Sequence, residues 1–262
     1  MTGTCHRTGV ASVAVGRVTG SLSAPACDEI SVEEPLEIRV AEHPEGVPPK
    51  SVAVTMRTPG DDVGLAAGFL FTEGIIAGLD ELEGVRRVGP NAVEARLRPG
   101  ARLDPAKLDR HSFVSSSCGA CGKRSIAAVR VMGRHRIVSG EPRLAPEVIH
   151  GLPQALRAGQ SGFARTGGIH ASGLFDATGR LLGLREDVGR HNALDKLIGA
   201  ELLAHSIPLT GRIVLVSGRV SFELVQKAAI AGAPVLGAVG APSSLAVELA
   251  RECGMTLLGF VR

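Results

Sequence analysis

Two cysteines two residues apart, Cys118 and Cys121, sit in the stretch SSSCGACGK, residues 115–123. Such a pair among small residues supports three chemistries: half of a zinc site, a thiol–disulfide couple, or carriage of sulfur as a persulfide. Structural zinc takes four ligands, usually from two closely spaced pairs. This chain has one Cys-x-x-Cys pair, and Cys5, Cys27 and Cys253 stand alone. His111 and His135 would complete a site only if the fold happened to deliver them, so no resident metal is expected. A redox couple is a second reading of CGAC, although the pair lies mid-chain in a run of serines. A persulfide carrier needs a reachable thiol with a lowered pKa, which helix starts and nearby cations provide. Cys118 precedes GACGKRSIAAV, which reads as a helix with Lys123 and Arg124 in its first turns. Inert cysteines prefer apolar surroundings, and this setting is polar and rich in glycine.

Other polar groups fall where apolar runs end. SGR at residues 217–219 places Ser217 and Arg219 between a strand and a helix, a turn that presents backbone amides to anions. Arginine adds a bidentate phosphate fork. GAPSS at residues 240–244 and FVR, formed by Phe260, Val261 and Arg262, end two further strands. EDVGRHN at residues 186–192 packs Asp187, Arg190 and His191 into one turn, either as a helix cap or as the wall of a binding site. His170 lies in HAS, whereas zinc deaminases use His-x-Glu followed by Pro-Cys-x-x-Cys. Here serine replaces that glutamate and the cysteine pair comes first, so deaminase chemistry lacks its base and its metal set. Glu223 and Lys227 are four apart and read as a surface ion pair.

The elements that must position these groups follow from pattern. The first thirty residues read as a loose or extended lead-in. EEPLEIRV and SVAVTMRT alternate as two strands of a hairpin, with Val52, Val54 and Met56 as the apolar set of the second. Asp61 or Asp62 can cap a helix through Leu70 that Gly74 ends. LAAGFLFTEGII packs this small domain or a contact between copies. AVEARLRP is another strand, and RPGARLDPAKLDRH reads as a linker with a boundary near residue 110. Beyond it come a helix over APEVIHGLPQALRAG, bent at Pro153, and strand–turn–strand over HASGLFDATGRLLGLRED. A helix over GRHNALDKLIGAELLAH follows. RIVLVSG, PVLGAVG and TLLGFV then alternate with two helices, which predicts a three-layer α/β domain with parallel neighbours. Ligands of such sheets sit at the strand carboxyl ends.

Composition narrows the classes. Of 262 residues, 44% are hydrophobic and 21% charged, and the net charge is +3, with basic residues scattered rather than clustered. That argues against nucleic acid, as does the absence of Trp and Tyr, because base stacking needs aromatic faces. No apolar run nears the ~20 residues that cross a bilayer, and MTGTCHRTGV lacks the apolar stretch of a signal peptide. The expected location is the cytoplasm, where thiols stay reduced.

Several long stretches in order resemble the FdhD/NarQ family of formate dehydrogenase accessory sulfurtransferases. They are EEPLEIRV, TPGDDVGLAAGFLFTEGII, SSSCGACGK, TGGIHASGLFDATG, EDVGRHNALDKLIG, SGRVSFELVQKAAIAGAP and APSSLAVELA. The resemblance spans nearly everything after residue 30. It implies sulfur transfer from a cysteine desulfurase to the molybdenum cofactor, Mo-bis(molybdopterin guanine dinucleotide), for formate dehydrogenase. GDP would serve as a partial mimic of that cargo. It also implies a small α+β amino-terminal domain over residues 1–110. A cytidine-deaminase-like three-layer α/β domain would cover 111–262, often within a homodimer. The family's persulfide cysteine falls on Cys118 with Cys121 as companion, and its cofactor-binding stretch falls on Phe260, Val261 and Arg262. Family members usually continue past this point with more basic and glycine residues. The rival readings are a thiol–disulfide oxidoreductase, which needs both cysteines, and a non-catalytic cofactor chaperone, which needs neither.

Overall fold

The computed structural model describes residues 9–43, 47–104 and 135–262. Among them, eleven strands and six α-helices build a mixed α/β structure with three sheets. The cysteine loop, the expected helix after it and the expected boundary near residue 110 lie outside the described residues.

The amino-terminal lead-in is a paired hairpin. Strands β1 (Val10–Thr19) and β2 (Leu22–Ser31) match antiparallel over ten positions. Small and polar residues dominate both strands, so neither shows the alternation that betrays a half-buried strand.

The second sheet holds β3 (Glu34–Ala41), β4 (Lys50–Arg57), β5 (Leu82–Gly89) and β6 (Ala92–Leu97) in the order β4-β3-β6-β5. The expected β3–β4 hairpin is present and Val52 is buried as its pattern predicts, but beyond Val52 strand β4 presents the opposite face. Val54 is 51% exposed and Met56 37%, while Thr55 and Arg57 are buried. A bulge between Ile38 and Arg39 shifts the register, and the inward residues have polar partners. Arg57 Nε donates to Asp62 Oδ1 at 2.9 Å, and Thr55 Oγ1 donates to Asn192 Oδ1 at 3.2 Å. Helix α1 (Asp62–Thr72) follows. Asp61 at its N-cap makes no capping bond, and Gly74 follows the helix in the left-handed region.

The third sheet holds β7 (His170–Phe175), β8 (Leu181–Asp187), β9 (Ile213–Val216), β10 (Val235–Ala238) and β11 (Thr256–Leu258), ordered β11-β10-β9-β7-β8. Strands β9, β10 and β11 are parallel, as their alternation with helices requires. Strand β7 is antiparallel to both neighbours, so the sheet is mixed rather than all parallel. The β7–β8 turn is tied by Asp176, whose Oδ1 accepts from the amides of Thr178 and Arg180. Asp176 is held down to about 2, chiefly by the Thr178 hydroxyl.

The helices are α2 (Pro146–Gly159), α3 (Ser161–Thr166), α4 (Arg190–Leu203), α5 (Phe222–Ile230) and α6 (Ser244–Glu252), and α2 continues through Pro153. Successive strand residues serve opposite faces. Ile213, Leu215, Val235 and Phe175 pack with Leu152 and Leu156 of α2 on one side. Val214, Val216, Leu236 and Leu174 pack with residues of α4, α5 and α6 on the other. That second core runs on without a break into α1, β3 and β6. None of the described helices is long and apolar enough to cross a membrane.

Two features lock α1 to the helices of the third sheet. The first is a backbone crossing. A methyl group on Gly68 would lie 1.9 Å from the carbonyl oxygen of Asp195, and one on Gly199 would lie 1.9 Å from that of Gly64. The second is a buried charge cluster. Lys227 is not half of a surface pair with Glu223: its Nζ donates to Asp195 Oδ2, Glu73 Oε1 and Thr72 Oγ1, each at 2.9 Å. Burial alone would pull the Lys227 ammonium down, but the carboxylates of Asp195 and Glu73 reverse this and hold it above the usual lysine range. The i,i+4 spacing that suggests a surface pair carries no information about which face is covered.

The crossing gives a direct expectation. Gly68→Ala and Gly199→Ala should each destabilise the protein by about 3 kcal/mol or more, at or beyond the upper end of overpacking costs. Gly151→Ala on α2, whose added methyl meets nothing within 4 Å, should be neutral or stabilising by up to about 1 kcal/mol. Denaturant melts of the three proteins check this, and equal midpoints would refute the crossing.

Candidate functional site

One edge of the five-stranded sheet gathers most of the polar groups singled out above. Strands β8 to β11 all end there and antiparallel β7 begins there. His170 at the start of β7 is paired in register with Asp187 at the end of β8. Helices α4, α5 and α6 start from the same edge, directly after β8, β9 and β10. Their amino ends carry positive dipole charge and unpaired amides.

Glycines bring the loops at this edge together. A methyl on Gly240 would stand 2.9 Å from the Gly218 carbonyl oxygen, and the Gly240 amide donates to that oxygen at 3.0 Å. A methyl on Gly218 would lie 3.3 Å from the His170 ring. Ser217 is fixed by β7: its Oγ accepts from the Ala171 amide and its amide donates to the Ala171 carbonyl, both at 2.9 Å.

Two hollows flank this edge. The larger, about 620 Å³, is walled by apolar groups including Leu156, Phe163, Ile169 and Val239, and His170 and Ser217 also line it. Arg157 lies over the Phe163 ring at 4.0 Å and lines it too. The smaller, about 260 Å³, is basic, with Arg190 and Arg219 facing Ser221 and Ser243. Ser243 caps α6 by accepting from the Ala246 amide, whereas the Ser221 side chain does not cap α5. A cavity of this kind, with two guanidinium groups beside helix amino ends, suits a phosphate. The larger hollow suits a flat apolar ring system carrying a few polar atoms.

The expected residues divide accordingly. Arg219 lines the basic hollow and Ser217 the apolar one. Phe260 is 59% exposed with φ of 54°, a left-handed conformation that a bulky residue seldom adopts. Its amide donates to the Gly240 carbonyl at 3.1 Å, which ties FVR to the same edge. The Val261 side chain is buried in the core beside α2, so only its neighbours are free to meet a ligand. Arg262 is exposed, and His150 Nδ1 donates to its carbonyl at 2.7 Å. Cys118 and Cys121 lie outside the described residues. Among the described residues no cluster of three or more potential metal ligands occurs.

Arg190, which the sequence leaves between a helix cap and a site wall, completes the basic hollow together with the GAPSS turn at the α6 amino end. The available signal was the repeated strand–turn–helix syntax of DVGRH, SGRVS and GAPSS. Asp187 is an anchor rather than a wall. It is fully buried, pairs with Lys196 Nζ at 2.7 Å and accepts from the amides of Thr58 and Gly189 and from Asn192 Nδ2. Lys196 Nζ in turn donates to the Thr58 carbonyl at 2.8 Å. This network fixes the turn from which Arg190 and His191 project, beside His170 on the paired strand.

Comparison with known proteins agrees with the fold. A model described as the FdhD/NarQ family matches residues 31–262. A Streptomyces avermitilis protein named sulfur carrier protein FdhD is 51% identical over 245 residues, spanning 90% of this chain and 84% of that protein. A Sulfolobus acidocaldarius protein of the same name is 38% identical over 253 residues, spanning 97% and 93%. The crystal structure of a Desulfotalea psychrophila protein, assigned as a formate dehydrogenase accessory protein, superposes with a TM-score of 0.70. It is 22% identical and the match covers 96% of this chain and 92% of that one.

Burial, and then the charges of Arg190 and His191, hold the His170 imidazole below its ordinary 6.5. His170 should therefore be neutral at pH 7. A depressed folded value means the unfolded chain binds the proton first. The stabilising contribution is complete above about pH 6.5 and is lost as pH falls toward the folded value. Ring resonances followed by NMR should give a midpoint under 6.5, and a midpoint above it would contradict this environment.

Proposed function

The chain belongs to the FdhD/NarQ family, and on that premise we propose that it carries sulfur from a cysteine desulfurase to Mo-bis(molybdopterin guanine dinucleotide), the cofactor that formate dehydrogenase requires. The Cys118 thiolate attacks the outer sulfur of the desulfurase persulfide. The S–S bond there breaks, the desulfurase leaves as a thiolate, and Cys118 becomes the persulfide. Handing the outer sulfur to the cofactor returns Cys118 to its thiolate, with Cys121 assisting. The protein then acts as a sulfurtransferase, in the cytoplasm and without a resident metal. A deaminase-like domain over 111–262, a smaller α+β domain over 1–110 and assembly as a homodimer belong to the same reading.

The observation that carries the cofactor half is the pair of hollows at one sheet edge. The cargo has pyrophosphate links and flat bicyclic rings. Arg190, Arg219 and the amino ends of α5 and α6 suit the phosphates. The walls around Leu156, Ile169 and Val239 suit a ring, with His170 and Ser217 to meet its edge atoms. Phe260 offers a further exposed aromatic face. Deaminase chemistry is disfavoured, because Ser172 stands where its proton-shuttling glutamate would be.

Among the described cysteines, Cys253 is the one least suited to carry sulfur. Burial, with the nearby Glu252 carboxylate, pushes the Cys253 thiol up and away from the reactive thiolate. Cys27 is exposed on the β1–β2 hairpin.

Mass spectrometry after incubation with a desulfurase and cysteine should find one added sulfur on Cys118. Added mass confined to Cys27 or Cys253 would sink the assignment. Cys118→Ala should fail to activate the dehydrogenase, whereas a pure chaperone would still do so. GDP should bind at the paired hollows. Arg219→Ala should weaken it by about tenfold or more and leave Cys118 loading unchanged. Calorimetry showing full GDP affinity in both Arg219→Ala and Arg262→Ala would move the cofactor elsewhere.

A further inference from the structure

The larger hollow holds a polar group that the fold leaves without a partner. Gln160 joins α2 to α3 and lines this hollow, yet it is only 5% exposed. Its backbone is engaged: the amide donates to the Arg157 carbonyl at 3.2 Å and the carbonyl accepts from the Ala164 amide at 3.0 Å. Its side-chain Nε2 is buried and has no hydrogen-bond partner among the described residues. Buried polar groups are almost always paired, and one left unpaired disfavours the empty state. The last torsion of a glutamine side chain is broad, so the amide can turn toward a ligand at the wall.

The groups around it share its polarity. Arg157, three residues earlier at the spacing of helical neighbours, also lines the hollow, with its guanidinium set over the Phe163 ring at 4.0 Å. A guanidinium has five donors and no acceptor. Ser217 Oγ already accepts from the Ala171 amide at 2.9 Å, which leaves its hydroxyl hydrogen for a ligand. The neutral His170 ring has one donor and one acceptor nitrogen and favours neither kind of edge. No carboxylate is among the residues that line this hollow. A ring edge that donates would face an arginine and find no anion to receive it, whereas an edge with neighbouring acceptors fits.

We propose that the larger hollow selects guanine over adenine, with Gln160 Nε2 and Arg157 donating to the O6 and N7 edge of the base. The proposal rests on the cofactor reading and names the ring and the edge that the hollow takes. Guanine carries two neighbouring acceptors, O6 and N7, whereas adenine has a donating amino group in place of O6. Glutamine alone pairs readily with adenine through N6 and N7, so Arg157 fixes the polarity of the edge. A tetrahydropterin carries hydrogen on N5, beside its O4, and presents a donor there, so guanine is the flat ring that fits. The opposite edge of guanine, N1 and the 2-amino group, donates and goes unread. A base held here stands across the Ser217–Arg219 turn from the basic hollow that suits its phosphates.

The test is calorimetry on the full-length protein with GDP, IDP, ADP and 7-deaza-GDP. IDP keeps O6 and N7 but lacks the 2-amino group, so it should bind as GDP does. ADP and 7-deaza-GDP should each bind more weakly by about tenfold or more. Gln160→Leu and Arg157→Met should each weaken GDP and narrow its advantage over ADP, whereas a merely structural role would weaken both nucleotides alike. If Gln160→Leu does not fold, the wild-type series and Arg157→Met decide the matter. ADP binding as tightly as GDP overturns the selection and spares the cofactor reading. IDP binding far below GDP means that the 2-amino edge is read, and it overturns the selection too. A GDP advantage that both variants keep overturns the assignment to Gln160 and Arg157. No GDP binding to the wild-type protein overturns both the selection and the cofactor reading.

Discussion

Helices α1 and α4 meet backbone to backbone, and the rest of the molecule is arranged around that contact. Gly64, Gly68 and Gly199 supply it, because any side chain at Gly68 or Gly199 would occupy the space of a peptide group. Asp195 lies at the crossing. Its carbonyl faces Gly68, while its carboxylate binds Lys227 of α5 and Thr72 at the end of α1. A close approach of helices thus also brings a buried cation to its anions. The two effects support each other, since the charge cluster fits only at the short distance that the glycines allow.

The same helix carries the candidate site. α4 begins with Arg190 and His191, and one turn further in Lys196 grips Asp187 and the Thr58 carbonyl. Asn192 adds a bond from its Nδ2 to the Met56 carbonyl at 2.7 Å. These contacts tie the end of β4 and the loop after it to the sheet edge where the hollows open. Removing one member of such a buried pair costs about 3–5 kcal/mol, because it strands the other charge. The site is therefore held by groups that need not touch a ligand, as pre-organised sites usually are.

Around that frame the division of surfaces is chemical. Arg190, Arg219 and helix amino ends collect on one side of the Ser217–Arg219 turn, and apolar side chains with Arg157 and one neutral imidazole collect on the other. Gly218 and Gly240 keep the partition thin by letting two loops and a histidine ring pack without intervening side chains. A cargo that joins flat rings through phosphates would use both sides at once, which is the economy behind the proposed cofactor reading.

Much of this was legible in the residues alone. The runs RIVLV, PVLGAV and TLLGFV, each followed by a turn, declare strands and set helix amino ends beside their carboxyl ends, because burial and turn chemistry act over a few residues. Ser217, Arg219 and Phe260 were placed at strand ends that way. The β1–β2 hairpin was not, because its small and polar residues carry no period. Nor was the face of β4 beyond Val52, where a bulge and two buried polar partners outvote the alternation that Val54 and Met56 continue. Lys227 looked like a surface lysine because spacing along a helix does not report what packs against it. By itself the sequence determined the order of elements, the cysteine motif and the polar turns, all consequences of local steric and hydrophobic preference. Only the tertiary structure decided which faces were covered, which charges were paired, and that Arg190, Arg219, Ser221 and Ser243 stand together. Those outcomes depend on contacts between residues far apart in the chain, and the close helix crossing is what brings them within reach.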